Sequence, residues 1–161
     1  MRKVFFSFHY ENDVWRSSIV RNSDVTKNID DSGFIDKAEW EKIEKTGEKA
    51  IRDWIDENMK GTSVTVVLIG TETSSRPWVR YEVKKSYEDG KGVVGVYIHN
   101  IGDSNGKTCI KGNTTFGELG KDDNGNPLYF HNLYNTYDWV NDNGYKNLNN
   151  WIEEAAKNAK R

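Results

Sequence analysis

Trp78 and Glu82 stand four residues apart in the run Pro77-Trp-Val-Arg-Tyr-Glu82-Val-Lys-Lys85. On a helix, that spacing stacks an aromatic ring and a carboxylate on one face, a turn apart. The run follows an apolar stretch, Val64–Gly70, and a polar loop, Thr71–Arg76, that offers hydroxyls and a cation. A strand feeding a loop and then a helix puts the helix start at the carboxyl edge of a parallel sheet, where ligands bind. A lone helix glutamate is ordinarily a solvated side chain; this setting makes Glu82 the strongest catalytic candidate in the chain. A carboxylate walled by aromatic rings suits cleavage of a glycosidic bond through an oxocarbenium-like transition state. The anion stabilises developing positive charge and can hold ribose hydroxyls, while the rings stack on the departing base.

Periodicity supplies the elements that must position these residues. Val4–Phe8 is a short, β-prone apolar run that ends in the polar cluster His9–Asp13. Val14, Trp15, Ser18, Ile19 and Val25 follow at mostly helical steps, giving a helix and then an irregular stretch. Gly33–Asp36 reads as a short second strand or a loop anchor. From Lys37 to Lys60, the residues Trp40, Ile43, Ala50, Ile51, Trp54, Ile55 and Met59 recur at helical spacing, with Gly61 as the stop. Val64–Ile69, rich in β-branched residues, reads as a central strand. Pro77 opens the next helix, which runs to about Asp89, and Val93–Ile98 is another strand.

From His99 to Pro127 the chain is rich in Gly, Asn, Asp and Lys and poor in apolar residues. The region 99–130 therefore reads as a surface insertion with room for one hairpin, and its composition favours mobility. A sensor, a lid and a plain surface loop all fit it. Leu128–Tyr137 offers a final strand, and Trp139–Ala159 one or two closing helices, broken near Asn143-Gly144. Strands alternating with helices predict an α/β fold over 1–161: a flavodoxin-like parallel sheet with helices on both faces, three layers in all. In that topology the end of the first strand, Ser7-Phe8-His9, lies beside the helix that carries Glu82.

Composition removes several function classes. The 161 residues carry a formal charge of -2 with both signs interspersed, so there is no electrostatic footprint for nucleic acid. The one cysteine, Cys109, excludes an internal disulfide and a cysteine-rich zinc site. Three scattered histidines, His9, His99 and His131, lack ligand spacing, so no metal site is expected. No apolar run approaches the roughly 20 residues of a membrane span, and Val4–Phe8 is too short for a signal-peptide core. A cytoplasmic, reducing location is the expectation. Val4–Phe8 leads into His9-Tyr10-Glu11-Asn12 and not into a Walker loop, and no Gly-x-Ser-x-Gly elbow exists. The paired acids of a phosphoacceptor receiver are also missing.

Several segments together resemble a known family. They are Val4-Phe-Phe-Ser-Phe-His-Tyr-Glu-Asn-Asp13, Val20-Arg-Asn22, Thr62–Gly70, Arg76-Pro-Trp-Val-Arg-Tyr-Glu82 and Tyr137–Tyr145. The chain is similar to the TIR-like proteins of the bacterial Thoeris anti-phage defence system (ThsB), over nearly its whole length and least across 99–130. The resemblance implies a TIR fold with a parallel sheet of about five strands. It also implies an enzyme that releases nicotinamide from NAD and makes a cyclic ADP-ribose isomer, which activates a partner effector. NAD is then substrate and no cofactor is required. Glu82 would be the catalytic carboxylate and Trp78 a wall at the nicotinamide ribose. Ser7, Phe8 and His9 would line the nucleotide site, with Asp36, Trp40 and Ser74 as further substrate-binding candidates. Self-association on activation is a further implication. Two departures stand out: Val79 occupies a place where many TIR domains carry Cys, and the Pro-containing loop of receptor TIR domains has no counterpart.

Two other readings share the fold. One is a non-catalytic TIR-type interaction or sensor module, which needs no carboxylate. The other is nucleoside transfer through a covalent glutamyl intermediate.

Overall fold

A computed structural model describes residues 2–161. The first strand, β1 (Arg2–Ser7), leads into α1 (Tyr10–Arg21), a 3-10 turn (Asp24–Asn28) and β2 (Ile29–Ser32). Two helices follow, α2 (Lys37–Thr46) and α3 (Glu48–Met59), and then β3 (Val64–Ile69). A 3-10 turn at Thr73–Ser75 precedes α4 (Pro77–Glu88) and β4 (Gly92–Tyr97). The chain closes with the short β5 (Gly120–Lys121), β6 (Pro127–Leu128) and α5 (Phe130–Leu133), then β7 (Thr136–Asp138) and α6 (Gly144–Asn158). No helix among the described residues is long and apolar enough to cross a membrane.

Five strands form one parallel sheet in the order β2-β1-β3-β4-β7. This is the flavodoxin-like order expected from the alternation of strands and helices. All six residues of β3 are buried, as a central parallel strand covered on both faces requires. The pleat sends alternate side chains to opposite layers. Val64, Val66 and Leu68 meet Phe6, Val94, Val96, Trp151 and Ile152 on the α6 side. On the other face, Val67 and Ile69 pack with Val79 and Val83 of α4, while Phe5 packs with Ile51, Ile55 and Met59 of α3.

Three details differ from the sequence reading. The second strand is Ile29–Ser32, and Gly33–Asp36 is the loop after it. Ile29 is the only apolar residue of this edge strand, so its pattern gave no strand signal. The helix expected from Lys37 to Lys60 is two helices, because Gly47 adopts φ 113, ends α2 and starts α3. That conformation is cheap for glycine alone. The stretch Leu128–Tyr137 holds a helical turn, α5, before the short strand β7.

Segment 99–130 carries one small hairpin, β5–β6, and is tied down along its length. Ile101, Phe116 and Leu119 are buried. Arg16 donates from Nε to the Ile101 carbonyl at 2.8 Å and from Nη2 to the Lys107 carbonyl at 2.9 Å. Thr71 donates to the Ile110 carbonyl at 2.5 Å, and Arg80 to the Thr115 carbonyl at 2.9 Å. Few apolar residues suffice here because backbone carbonyls are gripped by side chains of α1, α4 and the β3–α4 loop.

Candidate active site

A cavity of about 280 Å³ opens where the β1–α1 loop meets the start of α4. Its walls are Phe8–Glu11, Gly33 and Ile35 of the β2–α2 loop, Trp40 and Glu44 of α2, Trp54 and Ile55 of α3, and Arg76–Val79 with Glu82 of α4. Pro77 at the first helical position sets the entry of α4 without losing a hydrogen bond. Trp78 and Glu82 therefore face the same space, one turn apart.

Glu82 is 6% exposed. Ser7, at the end of β1, donates from Oγ to Glu82 Oε1 at 2.7 Å. This is the one hydrogen bond the carboxyl receives from the described residues. Burial pushes the acid up to about 8, and the Ser7 bond pulls partly against that shift. A carboxyl with one fixed oxygen and one unengaged oxygen, poised near neutral pH, is fitted to stabilise a cation and to accept a proton.

Aromatic rings make up much of the wall. Tyr10 packs on Trp40 with centroids 5.4 Å apart, and Trp40 meets Trp54 edge-on at 6.1 Å. Phe8 lies between Tyr10 and Phe34, at 6.2 and 5.6 Å. Trp78 meets Tyr81 edge-on at 5.8 Å. His9 is buried, which holds its imidazole below the usual range, with the nearby Arg76 guanidinium adding to the shift. It is therefore neutral at pH 7.

Three of the seven buried side-chain polar atoms without a partner among the described residues belong to residues around this cavity. They are His9 Nδ1, Trp40 Nε1 and Arg76 Nε.

The structure thus brings Phe8, His9, Trp40, Trp78 and Glu82 together around one cavity. Ser7 is fully buried and touches the site through Glu82 alone. Asp36 and Ser74 stand off the cavity. Asp36 caps α2 by accepting the Glu39 amide at 2.8 Å and borders an adjoining groove with Tyr10, Glu11, Trp40, Glu41 and Glu44. The buried Ser74 presents its carbonyl to Arg80 Nε at 2.7 Å, inside the turn before α4. An acid near a sheet edge looks the same in sequence whether it faces a ligand or caps a helix. Sequence reasoning missed Tyr10 and Trp54 as wall residues and used Arg76 only as the cation of the loop before α4. Tyr10 and Arg76 flank residues it singled out, whereas Trp54 carries the signature of an ordinary core position on a helical face.

The loop that leads to α4 is held from α1. Thr73 Oγ1 accepts the Gly70 amide at 2.8 Å and donates to Asp13 Oδ2 at 3.2 Å. Burial raises Asp13 to about 6, and the Thr73 bond offsets part of that. Any Cβ at Gly70 would overlap the Asp13 carboxylate, so this close approach requires glycine.

Residues 5–103 match the family described as Thoeris protein ThsB, TIR-like domain. With its parallel five-stranded sheet, the chain belongs to this TIR-like family. It is 33% identical, over 94% of its length and 98% of the relative's, to a Bacillus cereus (strain MSX-D12) protein named "Putative cyclic ADP-D-ribose synthase ThsB1".

Proposed function

We propose that this protein cleaves NAD at the nicotinamide–ribose bond and closes the remaining ADP-ribose into a cyclic isomer, a signal in anti-phage defence. The observation that carries this reading is Glu82, buried at a cavity lined by aromatic rings, with a single hydrogen-bond donor, Ser7. The name of the Bacillus cereus relative supports it.

The chemistry follows from the carboxyl. A cationic pyridinium beside Glu82 favours the ionised form, so substrate binding expels the proton that burial retains. The C–N bond then breaks, and its electron pair leaves with neutral nicotinamide. The resulting oxocarbenium is stabilised by the carboxylate at close range in a site of low dielectric. A hydroxyl of the same ADP-ribose attacks the anomeric carbon, and its proton passes to Glu82. Attack by water gives linear ADP-ribose instead, so exclusion of water by the rings of Tyr10, Trp40 and Trp78 favours the cyclic product. On this reading the product activates a partner effector, and the protein self-associates when it turns over.

The test is incubation with NAD and separation of products by chromatography and mass. Nicotinamide and a nucleotide lighter than NAD by the mass of one nicotinamide are expected, since closure of the ADP-ribose on itself adds no water. Glu82→Ala and Glu82→Gln should reduce turnover by about a thousandfold or more. NAD left intact at high protein concentration and in extract from phage-infected cells, with Glu82→Gln indistinguishable from the parent, would sink the enzymatic reading. Light scattering under turnover conditions checks self-association, and an unchanging monomer removes it.

A further inference from the structure

Two loops flank the cavity, one after β1 and one after β3, and a single residue of α1 is bonded to both. The Asp13 amide donates to the His9 carbonyl at 2.9 Å, in the first turn of α1. Its carboxylate turns to the other loop, where Thr73 Oγ1 donates to Oδ2 at 3.2 Å while accepting the Gly70 amide at 2.8 Å. Asp13 is 3% exposed and Thr73 fully buried. Arg16, one turn along α1, directs Nε and Nη2 to the Ile101 and Lys107 carbonyls. Thr73 is thus the one hydrogen-bond donor to the Asp13 carboxylate among the described residues. A buried acid with one donor costs more than an apolar side chain of similar shape, so filling space does not account for it. What the carboxylate adds is a directed hold on Thr73.

That hold reaches Trp78 and Glu82 through a chain with little slack. Gly70 is pressed from two sides: a Cβ on it would overlap the Asp13 carboxylate, and a Cβ on Gly112 would overlap the Gly70 carbonyl. Beyond Thr73, the Arg76 amide donates to the Thr73 carbonyl at 3.2 Å and the Arg80 amide to the Arg76 carbonyl at 3.0 Å. Arg80 Nε also donates to the Ser74 carbonyl at 2.7 Å. A shift at Thr73 is therefore carried into the first turns of α4. Misplacing a reacting group by about 1 Å costs on the order of a hundredfold in rate.

We propose that Asp13 is a positioning residue for the reaction: with Thr73 it sets the β3–α4 loop against the β1–α1 loop and so fixes Glu82 relative to the substrate. This rests on the reading of the protein as an enzyme that cleaves NAD. Asp13 itself touches no reacting atom.

Steady-state kinetics with NAD, per folded molecule and well below each variant's melting temperature, test the role. Asp13→Ala and Thr73→Val should each lower kcat by about ten- to a hundredfold and change KM by less than about twofold. Asp13→Asn keeps an acceptor and Thr73→Ser keeps a hydroxyl, so each should hold kcat within about threefold of the parent. Gly70→Ala, whose methyl displaces the carboxylate, should match Asp13→Ala, and the two together should be little worse than either alone. Unchanged kcat in Asp13→Ala and Thr73→Val overturns the role. So does a rise in KM alone, or an asparagine variant as slow as the alanine one. Hydrogen exchange of the Gly70 amide, read by NMR, needs no turnover and separates this inference from the reading beneath it. Exchange should quicken by about tenfold or more in Thr73→Val and Asp13→Ala, and stay near the parent rate in Thr73→Ser. That pattern in a protein that leaves NAD intact removes the enzymatic reading and leaves the lock between the loops standing. Glu82-dependent cleavage with exchange and kcat unmoved by both variants removes only the positioning role.

Discussion

Glu82 and Lys91 are both buried ionisable residues, near opposite edges of the same sheet, and their surroundings differ in kind. Lys91 precedes β4 and is 7% exposed. Its ammonium donates to the Met59 carbonyl at 2.6 Å, the Thr62 carbonyl at 2.9 Å and Thr62 Oγ1 at 2.8 Å. Three donors meet three acceptors, one of them at the end of α3, where the helix dipole welcomes a cation. Glu82 receives one bond, from Ser7. Burial disfavours the charge in both cases, lowering the lysine and raising the acid. At Lys91 the fold has answered that cost with acceptors; at Glu82 it has left the cost standing. A buried charge with a full set of partners is structure. One with a partner missing, in a cavity, marks a site that a ligand completes.

The largest expected effect separates activity from stability at Glu82. Its native value near 8 lies above the ordinary 4.5. Below pH 4.5 both folded and unfolded chains hold the proton and nothing changes. Between 4.5 and 8 the unfolded chain ionises while the folded one does not, so stability falls as pH rises, and above 8 the penalty is complete. Glu82→Gln removes it while keeping an acceptor for Ser7. The substitution expected to abolish turnover should therefore stabilise the fold by up to about 5 kcal/mol above pH 8, and by almost nothing near pH 4. Thermal melts across pH check this. A variant that melts lower than the parent at pH 9 would show that Glu82 is satisfied and would erase the contrast with Lys91.

Lys91→Met should show the opposite division. The methionine fills the aliphatic track but leaves the Met59 and Thr62 acceptors buried and unpaired, at a cost of about 3 kcal/mol. Denaturant titration should find the midpoint lowered, with NAD turnover per folded molecule unchanged. A loss of turnover at full folding would mean that the two edges of the sheet are coupled.

The parts of this design that sequence makes visible are those with a strong local signal. Val64–Ile69 announced a central strand by its β-branched run, Pro77 announced the start of α4, and the spacing of Trp78 and Glu82 announced a shared face. Edge strand β2 was displaced because three of the four residues in Ile29–Ser32 are polar. The cavity wall was only partly legible, since Trp54 of α3 and Trp40 of α2 meet only after Gly47 folds one helix back on the other. Asp36 and Ser74 lie near the site in sequence, but Asp36 spends a carboxylate oxygen on the Glu39 amide and Ser74 sits in the turn that gives its carbonyl to Arg80. Composition also misled for segment 99–130. A polar stretch can be fastened through its own carbonyls, and those bonds depend on distant residues such as Arg16.

The smallest expected effect is the most specific to the contrast. Ser7 is fully buried and acts through Glu82, so it is a positioning residue. Ser7→Ala creates little space but removes the one donor that favours the ionised carboxyl. The Glu82 acid should then rise further above its present value of about 8. If the ionised form is the active one, kcat/KM for NAD increases with pH up to the free-enzyme value and then levels. Below that value, each unit of upward displacement costs about tenfold at fixed pH. Ser7→Ala should therefore lower kcat/KM at pH 7 by roughly three- to tenfold, move the rise of the profile to higher pH, and approach the parent on the alkaline plateau. A merely structural role predicts a profile scaled down equally at every pH. Recovery at high pH is thus what distinguishes a hydrogen bond that tunes the carboxyl from one that only holds β1 against α4.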